Sequence, residues 1–153
     1  MKLGALLKAL EDVELVGSAN IDINGIAYDS NNVKPGYLFA ALPGQNAHGL
    51  QFESEAKARG AVAILSESRF ETSLPLVLVP DGRHALANLS NCFYGEPSKK
   101  LKLVGITGTN GKTTVSFLVR SIFESSGILC GLIGTIQYSG EQFSKRSAMT
   151  TPE

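Results

Sequence analysis

A glycine-rich run at residues 105–114, Gly-Ile-Thr-Gly-Thr-Asn-Gly-Lys-Thr-Thr, contains the residue types that bind phosphate groups. Glycine permits tight turns in which successive backbone N–H groups surround phosphate oxygens. The Lys112 ammonium can reach the terminal phosphates of a nucleotide, and the Thr113 hydroxyl can ligate Mg²⁺. The spacing therefore predicts a site for a nucleoside triphosphate and its magnesium ion.

This loop departs from the general P-loop pattern at one position. The pattern requires a glycine five residues before Gly111, where the chain has Ile106. The flanking sequence compensates, because apolar residues over 101–106 predict a strand and apolar residues at helical spacing over 115–122 predict a helix. The alternative is an ordinary glycine-rich turn with a solvated Lys112. The order of strand, loop and helix favours the phosphate site.

Composition limits the class of protein. The 153 residues are 43% hydrophobic and 18% charged, as in globular domains, and 14 basic residues balance 14 acidic ones. A balanced charge gives no overall field for nucleic acid or an anionic membrane surface. The first ten residues lack the length of a membrane span and the features of a signal peptide, which predicts a cytoplasmic protein without membrane insertion. Cys92 and Cys130 form no C-x-x-C pair and predict neither zinc nor redox chemistry.

The elements before the loop predict a small α/β domain. An amphipathic helix over 3–10 and strand residues at 21, 23, 26 and 28 come first. The next elements follow in the order β-α-β-β-α, with strands at 37–42, 61–65 and 74–79 and helices at 52–59 and 82–93. A turn-rich, charged segment over 94–100 then predicts a boundary near Ser98, between domains at 1–97 and 98–153.

The second module contains the loop, its helix, a predicted strand at 128–136 and a polar tail. It is short compared with ordinary domains of about 100 residues. P-loop enzymes also commonly use a second acidic Mg²⁺ ligand at a strand end, yet no aspartate follows Asp81. These two features predict a truncated chain whose open sheet would leave apolar surface exposed.

Over its whole length the sequence resembles the Mur ligase family. The first module carries Asp29-Ser30, Val33, Pro35-Gly36 and Leu38-Phe39, which are similar to that family's Asp-Ser-Arg-x-Val-x-Pro-Gly-x-Leu-Phe signature. Other matching landmarks are the uridine-nucleotide loop at 44–52, Gly60-Ala61, the ATP loop at 108–114, Gly134-Thr135-Ile136 and Thr150-Thr151-Pro152.

The resemblance implies a fold class and a set of site residues. The fold is α/β, a small N-terminal uridine-nucleotide-binding domain followed by the start of a P-loop, Rossmann-like ATP-binding domain. Lys112 is the implied catalytic residue and Thr113 the implied metal ligand. The implied ATP-binding residues are Gly108, Thr109, Asn110, Gly111, Lys112, Thr113 and Thr114. The implied UDP-substrate-binding residues are Tyr28, Ser30, Gln45, Asn46, Ala47, Thr150 and Thr151.

The resemblance also implies an activity. Thr109, Thr113-Thr114 and the Thr-Thr-Pro landmark favour the branch of the family that adds a diamino acid, meso-diaminopimelate or L-lysine, to UDP-N-acetylmuramoyl-L-alanyl-D-glutamate. ATP would activate the substrate carboxylate as an acyl phosphate, with Mg²⁺ as cofactor, in peptidoglycan precursor synthesis. The parts that select the amino acid would lie outside this sequence, so we expect the chain to be inactive as a ligase on its own. We also expect a monomer.

Three alternatives stay open. The chain could belong to a Mur ligase of the D-Ala-D-Ala-adding type, or it could be a non-catalytic UDP-sugar-binding module. A small kinase or GTPase is disfavoured by the missing acidic ligand and the missing guanine-reading motif. Two departures from the family signature affect the uridine pocket, Asn31 in place of arginine and His48 in place of aspartate. His48 is interpreted as a solvated loop residue, and His84 as structural.

Overall fold

The computed structural model describes residues 1–44, 49–140 and 144–146, and the chain divides into two compact units, Met1–Leu101 and Lys102–Glu153. The α/β class predicted from the sequence is confirmed. The predicted boundary near Ser98 falls within a 3₁₀ turn, Pro97–Lys100, close to this division. As a domain assignment it stays a prediction.

The first unit is built on one five-stranded sheet flanked by helices. Its strands are β1 (Glu14–Val16), β2 (Gly25–Ala27), β3 (Tyr37–Ala40), β4 (Ala61–Ser66) and β5 (Leu76–Leu78). Its helices are α1 (Leu3–Leu6), α2 (Glu53–Ala58) and α3 (Gly82–Phe93). The strand order is β1-β5-β4-β3-β2, in which β2 to β5 are mutually parallel and β1 pairs antiparallel with β5.

The predicted β-α-β-β-α order is therefore present as β3-α2-β4-β5-α3, and the predicted bounds of α3 are confirmed. One prediction needed correction, and one strand was missed. The opening helix is shorter than 3–10, because it changes after Leu6 into a 3₁₀ turn, Leu7–Ala9. Strand β1 was not predicted, since its three residues alternate exposed and half-buried positions and become a strand only through pairing with β5.

Two apolar cores cover the two faces of the sheet. Successive side chains of β3 point to opposite faces of the sheet. Leu38 and Ala40 therefore lie in the core shared with α1 and α3, and Phe39 lies in the core shared with α2. The register shifts between β3 and β4, where Tyr37 pairs with Ala61 but Leu38 pairs with Ala63. Val62 of β4 is therefore left unpaired, as in a β-bulge. Such an extra residue changes the face of the sheet on which the following side chains lie.

The second unit contains a long helix and a small antiparallel sheet. Helix α4 (Lys112–Ser125) confirms the helix predicted after the loop. The sheet consists of β6 (Leu132–Ile133), β7 (Gln137–Ser139) and β8 (Ser144–Arg146), in that order. The single strand predicted at 128–136 was thus wrong, because only its residues 132–133 are in a strand and they pair with β7.

The strand predicted at 101–106, before the glycine loop, was also wrong. Within the described part of the chain this segment pairs with no other strand, and Leu103 and Val104 are 73% and 60% exposed. An apolar run becomes a strand only when a neighbour satisfies its backbone groups. Apolar residues of α4 are exposed as well, among them Val115, Leu118 and Ile122.

Among the helices of the described residues, none combines the length and the apolar character needed to cross a bilayer.

Candidate functional site

The glycine loop and the start of α4 form the first group of predicted site residues. Gly111 adopts a left-handed conformation, with φ of 74°, immediately before the first helical residue, Lys112. Glycine adopts this conformation without the steric cost that a Cβ would bring. The first hydrogen bond of the helix runs from Val115 N–H to the Gly111 carbonyl, at 2.9 Å.

The backbone amides at the start of α4 are available for an anion. The first amides of a helix have no partner inside the helix, and within the described residues no side chain caps α4. The amides of Lys112, Thr113 and Thr114 lie at this end, where the helix dipole also favours negative charge. Gly108, Thr109 and Asn110 in the preceding loop are exposed. This arrangement is suited to binding phosphate.

The Lys112 side chain folds back over the loop. Its ammonium donates to the carbonyl of Gly108 at 2.6 Å and to that of Thr109 at 3.3 Å. The positive charge is therefore held against the loop by two of its carbonyls. Thr113 is half-buried, and its carbonyl accepts a hydrogen bond from the Ser116 hydroxyl at 2.7 Å. Because this hydrogen bond involves the carbonyl of Thr113, it does not occupy the Thr113 hydroxyl, which is a potential ligand for a metal ion.

A magnesium ion would need oxygen ligands beyond this threonine. The residues that the structure describes contain no group of three or more His, Cys, Asp or Glu side chains able to hold a metal ion. Mg²⁺ usually takes one or two protein ligands together with substrate phosphates and water. The Thr113 hydroxyl therefore fits a metal carried mainly by nucleotide phosphates.

The second group of predicted residues lies in the first unit, after β2. Tyr28 is 43% exposed, whereas Ser30, two residues later, is only 5% exposed. Ser30 begins a 3₁₀ turn, Ser30–Asn32, that Asp29 caps by accepting a hydrogen bond from the Asn31 amide at 2.9 Å. Asp29 also accepts from the side chain of Asn32 at 2.9 Å. The polar run at 29–32 is thus a turn that is held by hydrogen bonds among its own residues, and these bonds fix the position of Ser30.

Helix α2 supplies two residues to this turn. The Ser30 hydroxyl donates to the Glu55 carboxylate at 2.9 Å, and Arg59 donates to the other oxygen of that carboxylate at 2.9 Å. Arg59 also donates to the side-chain oxygen of Asn31 at 3.2 Å. The Ser30 hydrogen bond, followed by those from Arg59 and the charge of Arg59, lowers the pKa of Glu55 below its ordinary value.

Sequence reasoning missed Glu55 and Arg59. Their spacing of four residues on a helix was a usable signal, because glutamate and arginine at that spacing commonly pair. Nothing local indicated that the pair would meet Ser30, which lies 25 residues earlier. The predicted residues Gln45, Asn46, Ala47, Thr150 and Thr151, and likewise His48, lie outside the described residues. Within the described residues, Arg83 donates to the Pro43 carbonyl at 3.0 Å.

Comparison with known proteins gives two family matches, one over the segment that contains each group. Residues 22–94 match the Mur ligase family, catalytic domain, and residues 106–153 match the Mur ligase middle domain. This chain belongs to the Mur ligase family. The first match contains the Ser30 turn and α2, and the second contains the glycine loop and α4.

Curated relatives of this Mur ligase chain share one name, UDP-N-acetylmuramoyl-L-alanyl-D-glutamate--2,6-diaminopimelate ligase. The protein of Listeria monocytogenes serotype 4b is 46% identical over all of this chain and 31% of its own length. That of Solibacter usitatus is 45% identical over 88% of this chain and 28% of its own length. That of Halalkalibacterium halodurans is 40% identical over all of this chain and 32% of its own length. This Mur ligase chain spans about a third of the length of these relatives.

Solved structures give the same family. A UDP-N-acetylmuramoyl-L-alanyl-D-glutamate--2,6-diaminopimelate ligase superposes with a TM-score of 0.65 at 28% identity, over 86% of this chain and 27% of the other. MurF ligase from Thermotoga maritima, in complex with ADP, gives a TM-score of 0.53 at 28% identity, over 65% of this chain and 23% of the other.

Proposed function

We propose that this chain supplies the uridine-nucleotide site and the ATP loop of a ligase that adds a diamino acid to UDP-N-acetylmuramoyl-L-alanyl-D-glutamate. The observation that carries the proposal is the start of α4, where uncapped amides and the Lys112 ammonium meet around one loop. The names of the relatives, at 40–46% identity over the whole chain, support the substrate. ATP-dependent chemistry is supported by the ADP bound to the T. maritima MurF ligase.

In this proposal the protein acts mainly by positioning and by neutralising charge. The amides of Lys112 to Thr114 hold phosphate oxygens, and the Lys112 ammonium offsets the negative charge that accumulates when the γ-phosphoryl group moves to the substrate carboxylate. The amine of the diamino acid then attacks the acyl phosphate and displaces phosphate, which leaves an amide bond, ADP and phosphate. Mg²⁺ supplies further charge neutralisation when bound, and Thr113 is the residue that would contact it.

The remaining site residues of the proposal bind the UDP substrate. Tyr28 and Ser30 would contact the uridine nucleotide together with Gln45, Asn46 and Ala47, and Thr150 and Thr151 would contact the muramoyl side. The proposed domain boundary at 97/98 would place the uridine-nucleotide site in the first domain and the ATP loop in the second. A cytoplasmic, monomeric protein belongs to the same proposal.

The D-Ala-D-Ala-adding type is the second candidate within the family. MurF structures from Acinetobacter baumannii resemble the chain with TM-scores of 0.55 and 0.57, at 28% identity over 74% of it. The diamino-acid-adding type is favoured because its representative superposes over 86% of the chain with a TM-score of 0.65.

Calorimetry with three ligands tests the proposal. We expect the chain to bind UDP-N-acetylmuramoyl-L-alanyl-D-glutamate and ATP with Mg²⁺, and to bind GTP much more weakly. Binding of the UDP-sugar without any binding of ATP would instead support a non-catalytic UDP-sugar module. Binding of nucleoside triphosphates with no binding of the UDP-sugar would overturn the proposed function.

A further inference from the structure

The first turn of α3 lies against the segments that follow two strands. Gly82, the first residue of α3, is buried, and its amide donates to the Glu67 carboxylate at 2.8 Å. Glu67 directly follows β4. A Cβ added to Gly82 would lie 2.8 Å from Cδ2 of Leu42, which comes shortly after β3. These contacts fix where α3 begins relative to the carboxyl ends of β3 and β4.

Arg83, the second residue of α3, ties the helix to the chain that leaves β3. Its Nη2 donates to the Pro43 carbonyl at 3.0 Å, and the two residues are 40 positions apart in the sequence. A hydrogen bond from a charged guanidinium is stronger than one between neutral groups. The backbone of Arg83 is held in place because its neighbour Gly82 is bonded to Glu67. The position of the Pro43 carbonyl is thus tied to α3.

A backbone contact closes the same segment at its base. The Gly49 amide donates to the Leu42 carbonyl at 2.9 Å. A Cβ added to Gly49 would lie only 2.6 Å from the backbone nitrogen of Leu42, so this approach requires glycine. Leu42 and Gly49 therefore form a narrow neck, and Pro43 is the first residue beyond it. Arg83 acts at the point where the chain leaves this neck.

We propose that Arg83 is a positioning residue that fixes the start of the segment 43–48 and thereby raises the affinity for the UDP substrate. The proposed function assigns Gln45, Asn46 and Ala47 of this segment to that substrate, and the inference rests on it. A binding segment that is already held in place loses less conformational freedom when its ligand binds. The ATP loop belongs to the other compact unit, so its affinity for ATP should not depend on Arg83.

Calorimetry with UDP-N-acetylmuramoyl-L-alanyl-D-glutamate and with ATP and Mg²⁺ tests the inference on two variants. Arg83→Met keeps a long side chain but has no N–H donor, and we expect it to bind the UDP substrate about tenfold more weakly. Arg83→Lys keeps a positively charged donor and should stay within about threefold of the wild type. Both variants should bind ATP as the wild type does.

Hydrogen exchange of the Gly49 amide measures the positioning without any ligand. In Arg83→Met this amide should exchange about tenfold faster, because the neck between Leu42 and Gly49 opens more often. The Gly36 amide, which donates to the Gly60 carbonyl at 2.9 Å, is the matched control and should keep its rate. Arg69→Ala removes another arginine of the same unit, one that pairs with Glu14, and should change neither the Gly49 rate nor the affinity for the UDP substrate.

The outcomes separate this inference from the proposed function. Failure of the wild-type chain to bind the UDP substrate overturns both. Wild-type affinity for the UDP substrate in Arg83→Met overturns the inference alone, and so does an equal loss of affinity in Arg83→Lys. Faster exchange at both Gly49 and Gly36 would show a general loosening of the unit and would also overturn it. A loss in Arg83→Met that Arg83→Lys restores, with faster exchange at Gly49 alone, supports it.

Discussion

Gly60 and Pro35 are in direct contact: a Cβ added to Gly60 would lie 2.8 Å from the Cα of Pro35. Gly60 ends α2 with φ of 99°, and its carbonyl accepts a hydrogen bond from the Gly36 amide at 2.9 Å. One glycine thus lies between the end of α2 and the start of β4 and allows a close approach of two backbone segments. The contact joins α2, which carries Glu55 and Arg59, to the segment that follows the Ser30 turn.

Gly60→Ala should therefore lower the free energy of unfolding by about 2–5 kcal/mol, because strain at positive φ adds to a backbone overlap. Gly95→Ala is the matched control, since Gly95 has φ of 74° and no atom within 4 Å of an added Cβ. It should cost only about 1–2 kcal/mol. Urea unfolding followed by circular dichroism measures both, and equal losses would show that the Pro35 contact is unimportant.

Lys112→Ala should weaken binding of ATP at least about tenfold, because the loop loses the ammonium that contacts the Gly108 and Thr109 carbonyls while its amides remain. Lys102→Ala removes an exposed lysine of the same unit and should leave ATP affinity unchanged. UDP affinity should be unaltered in both variants. Calorimetry gives all four values, and wild-type ATP binding by Lys112→Ala would exclude this loop as the ATP site.

Asp81→Ala should destabilise the first unit by about 1 kcal/mol. Asp81 is the N-cap of α3, and its carboxylate accepts from the His84 amide at 2.9 Å. Loss of such a cap leaves a helix amide without its partner. Asp81→Asn keeps the acceptor and should stay close to the wild type in the same urea titration. A large loss in Asp81→Asn would instead point to a role for the charge.

Acid should remove the stability that Glu55 contributes. Its pKa is lowered in the folded state, first by the Ser30 hydrogen bond and then by Arg59. The unfolded chain therefore takes up a proton on this group at a higher pH than the folded chain does. The contribution is complete above the ordinary glutamate pKa and is lost as the pH falls through the lowered, folded-state value.

The measurement is a pH series of urea midpoints for the wild type and Glu55→Gln, with Glu71→Gln as an exposed control from outside the cluster. The wild type should exceed Glu55→Gln at neutral pH, and the two should converge in acid. A difference that stays constant down to strongly acidic pH would contradict an ionised Glu55 in the folded chain.

Features that depend on neighbouring residues could be predicted from the sequence. Helix α3 has its predicted bounds because its cap residue Asp81 and its apolar spacing are local signals. The glycine loop before α4 was recognised for the same reason, since the residue types that free backbone amides and supply a charge lie within ten positions. The order of strands and helices over residues 37–93 also followed from local periodicity.

Only the tertiary structure decided which distant residues meet. Strand β1 exists because β5 offers it a partner, whereas the apolar run at 101–106 is not a strand, because no described strand pairs with it. The partner of the Ser30 hydroxyl was equally hidden, since Glu55 lies on a helix whose position is fixed by the packing of α2 on the sheet and by the Gly60–Pro35 contact. Periodicity and caps act within a few residues, but strand pairing and buried hydrogen bonds depend on the path of the whole chain.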